Sequence, residues 1–273
     1  MTKTVYISLM IWLLGLPALA AAQVYSQRME EAISQGDTAL QRKILHEWRF
    51  EWPEDADRMV AQSAFLKRKH ALEPDSAARQ AYLAASAVEL EVARKTFPER
   101  LDIRLAYISL LGDQEDYEAY TAEILDLLAA HDELGEAWLW RNGNHLRDVN
   151  SFVRQYVDMY TLLLYNTKDE SLQPLMDTIS NRLLVSDPAH VPALLSLSIN
   201  AQRRQDYSAA IGYLERAKEV EPDNTSVLDH LGTAYEKIGD IEAAKACYER
   251  ITRVGDDNER KYAAKRLGQL GQP

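Results

Sequence analysis

From residue 23 onward, apolar residues recur at intervals of three and four, with Ala, Leu, Glu, Arg, Gln and Lys dominating the composition. Strict apolar–polar alternation is absent and β-branched runs are few. An apolar stripe that returns about every 3.6 residues predicts amphipathic helices, and the composition suits them. Turns are marked by pairs such as Gly36-Asp37, Asp187-Pro188, Pro222-Asp223 and Gly239-Asp240. No Gly/Ser-rich or Pro-rich linker divides the chain, so one continuous array of helices is expected.

Near the C-terminus the pattern repeats at 34 residues. Asp206-Tyr207 returns as Asp240-Ile241, and Leu194, Leu197 and Ser198 return as Leu228, Leu231 and Gly232. Ala210 returns as Ala244, and Pro188 as Pro222. A fixed period in this range marks stacked supersecondary units, each burying its apolar face on the next. In the unit 225–258 the first helix carries Leu228, Leu231, Gly232 and Tyr235, and the second carries Ala244, Tyr248 and Ile251. A mid-helix glycine costs about 1 kcal/mol against alanine. Gly232 is therefore expected where a facing helix approaches closely, with Ala244 as the small residue opposite and Tyr235 and Tyr248 filling the space around it.

Upstream the marks weaken. Asp187-Pro188 closes a unit whose helices are predicted at 152–166 and 173–185, with Leu164 where Gly or Ser is expected and Met176 where Ala is expected. Gly36-Asp37 ahead of Pro53, then Pro98 and Asp116-Tyr117, suggest further hairpins and about six helix pairs in all, three of them degenerate. A helical N-terminal domain unrelated to the repeat is the competing reading. Between pairs, residues 136–150 read as an insertion: Trp138 and Trp140 are two apart, off helical spacing, and Asn142-Gly143 is a turn signal for a short hairpin. Its tryptophans either plug a gap between imperfect repeats or form a binding surface. Residues 258–270 predict a capping helix, with Tyr262, Ala263, Ala264, Leu267 and Leu270 and with Arg260, Lys261, Lys265 and Arg266 between them.

The residues Leu228, Leu231-Gly232, Tyr235, Ala244 and Tyr248 resemble the tetratricopeptide pattern W-x2-L-G-x2-Y…A-x3-F, with Leu228 standing where Trp is usual. The preceding copy departs at Ala201, where Tyr is expected. The resemblance is good over 188–258 and implies an all-α, right-handed α-solenoid of helix hairpins with a C-terminal capping helix. The scheme is then 1–22 a leader, 23–150 degenerate repeats, 151–190, 191–224 and 225–258 repeats, and 259–273 cap and tail. The resemblance also implies protein–protein recognition, with the first helices of successive repeats lining a concave groove for a peptide or partner helix.

Helix geometry places Thr161, Tyr165, Leu195, Ile199, Gln202, Asp229, Thr233 and Glu236 on that face. Leu195 and Ile199, four apart, share one side of their helix, and beside Tyr165 they suit an amphipathic helix or an extended peptide. The alternative is that both belong to the core between repeats. Some tetratricopeptide proteins hold a C-terminal carboxylate with a Lys/Asn/Arg cluster on this face. Here the corresponding positions are apolar, hydroxyl or acidic, and Asp229 and Glu236 repel a carboxylate, so a cationic or apolar partner fits better.

The charge balance agrees. Against 42 acidic residues stand 31 basic ones, for a net charge of −11, which disfavours nucleic acid and anionic membrane surfaces. At the N-terminus, Lys3, the apolar run 5–16, Pro17 and Ala18-Leu19-Ala20-Ala21-Ala22 have the layout of a secretory signal peptide. Cleavage is expected after Ala22, with Ala20 as second choice, giving a periplasmic or secreted protein without stable membrane insertion. An uncleaved anchor is the alternative. A lipoprotein needs a cysteine at the cleavage point, and the one cysteine is Cys247, which also excludes an internal disulfide framework. Cys247 reads as a small buried hydrophobe. The six histidines show no ligand spacing, and no phosphate loop or nucleophile elbow is present. No catalytic, metal or cofactor residue is therefore assigned. An enzyme, or an accessory subunit of one, with a site assembled only in three dimensions is the alternative function, and self-association through the concave face is a further one.

Overall fold

The structure is a computed structural model and describes residues 23–270. The predicted leader lies outside those residues. Thirteen α-helices follow one another among the described residues: α1 (23–34), α2 (Thr38–Glu51), α3 (Ala56–Leu72), α4 (Ser76–Thr96), α5 (Leu101–Asp113), α6 (Tyr117–Leu134), α7 (Val149–Asn166), α8 (Gln173–Ser186), α9 (Val191–Arg203), α10 (Tyr207–Val220), α11 (Thr225–Ile238), α12 (Ile241–Val254) and α13 (Asp257–Leu270). They form two compact units. One comprises the described residues up to Glu123 with Glu133–Asn150, and the other comprises Ile124–Asp132 with the described residues from Ser151 on. Each unit is all-α and is built of hairpins packed in chain order, the second ending with α13 against α12.

Two local devices recur. Within hairpins, a residue in the left-handed region precedes an aspartate that caps the next helix. Gly36, Glu115, Gln205 and Gly239 have φ of 68°, 58°, 62° and 84°. The following Asp37, Asp116, Asp206 and Asp240 each accept a hydrogen bond from the amide three residues on. Between hairpins, Pro53, Pro98, Pro188 and Pro222 each stand second after a helix's last residue. Ahead of each proline, the backbone N–H of Trp52, Phe97, Asp187 or Glu221 reaches back to a carbonyl four residues earlier. Proline then prevents the helix from continuing.

Glycine adopts the left-handed turn without the Cβ penalty that Gln205 carries. Gln205→Gly is therefore expected to stabilise the second unit by about 0.5–1 kcal/mol, and Gly239→Ala to destabilise it by a similar amount. Urea midpoints followed by circular dichroism check both, and equal midpoints for all three proteins would refute the strain argument.

Packing inside a hairpin turns on the eighth residue of the first helix. That residue is Ser63 in α3, Ser198 in α9 and Gly232 in α11. Ser63 and Ser86 meet Oγ to Oγ at 2.6 Å, fully enclosed. A Cβ on Gly232 would lie 2.8 Å from Cζ of Tyr248. The nearest neighbour of that position is thus the flat Tyr248 ring. Both Tyr248 and Ala244 are completely buried, and burial raises the Tyr248 phenol well above its usual range.

The first unit encloses charge as well as hydrocarbon. Arg100 donates from Nε and Nη2 to the two carboxylate oxygens of Asp102 at 2.8 and 2.9 Å, and from Nη2 to Asp57 at 2.6 Å. All three side chains are nearly or fully buried. Burial alone would depress the guanidinium; Asp102 and Asp57 outweigh it and hold Arg100 above its ordinary value. Beside this triad the chain from 135 to 148 makes two short 3-10 turns, Gly135–Ala137 and Arg141–Gly143. Leu139 exchanges backbone hydrogen bonds with Glu99 and Leu101 and bridges His145 in antiparallel sense. Trp138 is fully buried under the Arg104 guanidinium, 5.6 Å from the ring centre, so it plugs the unit.

Candidate functional site

In the second unit, α7 and α9 form two walls of an apolar groove and α8 its floor. The groove encloses about 420 Å³, within the range of roughly 300–1,000 Å³ typical of ligand sites. Met159, Leu162 and Tyr165 of α7 face Pro192, Leu195 and Ile199 of α9. Met176, Ser180 and Leu183 of α8 close it below and are themselves buried. The walls are open to solvent: Met159 is 50% and Leu162 55% exposed. Exposed large aliphatic side chains gathered along one cleft form an apolar surface open to solvent.

Sequence makes the second half of α7 apolar on nearly every side. Between Asp158 and Asn166 stand Met159, Tyr160, Thr161, Leu162, Leu163, Leu164 and Tyr165. Its own hairpin needs only part of that surface. Tyr160 and Leu164 are buried, while Leu162 and Leu163 remain exposed. Met176 is the long side chain expected to depart from the repeat's small residue, and it forms part of the groove floor.

The structure brings together four of the eight residues placed on the concave face by sequence: Thr161, Tyr165, Leu195 and Ile199. Thr161 is buried and donates its hydroxyl to the Val157 carbonyl, 2.9 Å away, so it presents its methyl group rather than a hydrogen bond. The other four lie outside the lining. Gln202 is one turn beyond Ile199 on α9, with its side-chain nitrogen enclosed and without a hydrogen-bond partner in the protein. On α11, Thr233 has its hydroxyl 3.3 Å from that of Tyr248, and Glu236 accepts from Arg266 of α13 at 2.6 Å. Asp229 stands against Tyr262 of α13, whose phenol is raised by burial first and then by that carboxylate. Met159, Leu162 and Pro192 were missed by sequence reading. The signal for the first two was the nearly all-apolar girth of α7 over residues 159–165, which exceeds what one buried face requires.

Polar groups mark the groove's ends. At one end is Asp158, with Oδ2 3.4 Å from Nε2 of His190. His190 caps α9, its Nδ1 accepting from the Ala193 amide at 3.3 Å, which leaves Nε2 facing Asp158. At the other end the exposed Arg203 lays its guanidinium over the Tyr165 ring, 4.7 Å from its centre. Between them, the hydroxyls of Ser180 and Ser196 have no hydrogen-bond partner in the protein.

No group of three or more His, Cys, Asp or Glu side chains among the described residues could hold a metal ion. Cys247 is buried, and burial pushes its thiol up to about 11, which keeps it protonated and unreactive. Burial also lowers His230, against the pull of the neighbouring Asp229.

The α11–α12 hairpin decides the comparison with known proteins. Residues 225–254 match the tetratricopeptide repeat. No curated protein matches the chain. Among solved structures, the chain is similar to YrrB, described as a TPR protein with an unusual peptide-binding site, at 12% identity over 81% of this chain and 97% of that one, with a TM-score of 0.45. A tetratricopeptide repeat protein from Parabacteroides merdae is 13% identical over 93% and 94%, with a TM-score of 0.44. PilW, described as a type IV pilus biogenesis factor, is 11% identical over 89% and 98%, also at 0.44.

Proposed function

We propose that this chain is a non-catalytic interaction scaffold of the cell envelope and that it holds a peptide or helix of another protein in the groove between α7 and α9. One observation carries the reading: Met159 and Leu162 stay half exposed beside Tyr165, Leu195 and Ile199 in a cleft of ligand size. Burying such surface yields about 25 cal/mol per Å². The tetratricopeptide match at 225–254 supports the same reading. Location in the envelope rests on the apolar run 5–16 and the Ala-rich stretch that follows it. Among the described residues no helix is long and apolar enough to cross a membrane.

Ile199→Glu tests the groove. A carboxylate there would have to be desolvated by an apolar partner, so capture of a stoichiometric partner from an envelope fraction is expected to fall at least tenfold, a change of about 1.4 kcal/mol. Helicity by circular dichroism is expected to stay unchanged because Ile199 is only partly buried. Unfolding of the variant would place Ile199 in the core and remove the groove. A mature mass beginning at Gln23, in the periplasmic or secreted fraction, is the expected outcome for export. Retention of residues 1–22 in the cytoplasm would refute that part.

A further inference from the structure

Resting on that reading, we infer that the occupant of the α7–α9 groove is an amphipathic helix with opposite charges at its two ends, and that it binds antiparallel to α7. The walls decide for a helix over an extended peptide. Both walls are α-helices, whose backbone groups are already paired internally, and the side chains between the charged ends are almost all apolar. An extended peptide laid there would lose water from its own N–H and C=O groups and gain few partners. A helix brings its backbone already satisfied and offers apolar side chains three and four apart, matching Met159 and Leu162 on one wall and Leu195 and Ile199 on the other.

The ends set the direction. Asp158 lies beside His190 at the start of α9, and Tyr165 lies beneath Arg203 at the end of α9. Helices α7 and α9 therefore run the same way, and the groove has an acidic end and a basic end. Asp158 brings a carboxylate to one end, its Oδ2 3.4 Å from His190 Nε2, and Arg203 contributes its charge over an aromatic face rather than to a carboxylate. Asp158 and Tyr165 are seven residues apart, about 10 Å along the helix. A complementary helix thus carries a Glu or Asp over Arg203 and a Lys or Arg over Asp158, about two turns apart, with two apolar anchors between. Acidic residues stabilise the N-terminus of a helix and basic ones its C-terminus. The partner's N-terminus therefore sits at the Arg203 end, and its chain runs against α7.

The test uses two synthetic amphipathic peptides, acetylated and amidated, with identical composition. One reads Glu-x-x-Leu-Leu-x-x-Lys at its centre, and the other has Glu and Lys exchanged. Affinities are measured for the full chain at low ionic strength. The acid-first peptide is expected to bind about fivefold tighter or better, with the gap closing in high salt. Because the acid-first peptide is also the better helix by itself, the deciding measurement is the charge-swapped protein Asp158→Lys/Arg203→Glu, on which the preference must invert. Should the double variant unfold, Arg203→Glu alone keeps the test, since Arg203 is exposed; it must weaken the acid-first peptide selectively. If both isomers bind equally to every form of the protein and Ile199→Glu abolishes both, the groove stands and the orientation is refuted. If neither isomer binds, the helix-binding groove itself is refuted.

Discussion

Arg100→Met is expected to destabilise the first unit by about 3–5 kcal/mol, the cost of leaving buried carboxylates without their counter-charge. Arg100 spans 43 residues of sequence to reach Asp57 while holding Asp102 with two hydrogen bonds. Removal of the guanidinium leaves Asp57 and Asp102 enclosed at side-chain exposures of 11% and 4%. A companion variant separates this cause from lost packing. Arg100→Met together with Asp57→Leu and Asp102→Leu removes the whole charge set and is expected to recover most of the loss, because a buried ion pair contributes little net stability over hydrocarbon. Trp48, Trp52, Trp138 and Trp140 all belong to this unit, so tryptophan fluorescence during urea unfolding follows it selectively. A loss under 1 kcal/mol for the single variant would mean that the triad is solvated.

The second large effect is expected at Gly232. Even the first carbon of a side chain there would lie 2.8 Å from Cζ of the Tyr248 ring, and the ring is fully buried. Gly232→Leu is expected to cost about 3 kcal/mol, at the upper end of overpacking penalties, since the clash outweighs the gain of roughly 1 kcal/mol in helix propensity. At about 2–4 °C per kcal/mol, the melting temperature of the second unit falls by roughly 6–12 °C. The double-mutant cycle with Tyr248→Ala identifies the cause. That change alone opens a cavity, but in the Gly232→Leu background it also makes room, so the two losses must sum to more than the loss in the double variant. Additive losses would show that the introduced leucine side chain collides with something other than the ring.

Residues close in sequence were the legible ones. The turn at Gly239-Asp240 and those at Gly36-Asp37 and Asp206 are each closed by an amide and a carboxylate three residues apart. Such contacts depend on local chemistry and survive in any context. Helix ends drifted by a few residues: α7 begins at Val149 rather than Phe152, and α13 at Asp257 rather than Asn258. Small-residue spacing led to Gly232, with Ala244 as the small residue opposite and Tyr235 and Tyr248 around the contact. Of these, the register of α12 points the flat Tyr248 ring directly at the missing Cβ. In the N-terminal half, Ser63 holds the same eighth position, yet no 34-residue echo announces it because α3 and α4 are longer than the repeat's helices.

The candidate site divides along the same line. Sequence by itself determined that the chain is a series of helix hairpins, where they turn, and that α9 presents Leu195 and Ile199 on one side. All of this follows from contacts within a few residues and from helical period. Only the tertiary structure decided that Met159 and Leu162 face them across a cleft while Tyr160 and Leu164 are used up in packing. It alone drew Asp229, Thr233 and Glu236 toward Tyr262, Tyr248 and Arg266. It alone enclosed Trp138 and the Arg100 triad. An apolar residue on a helix is equally suited to core and to groove. Which it becomes depends on whether the facing helix comes close enough to cover it, and that distance is set by side chains far away in the sequence.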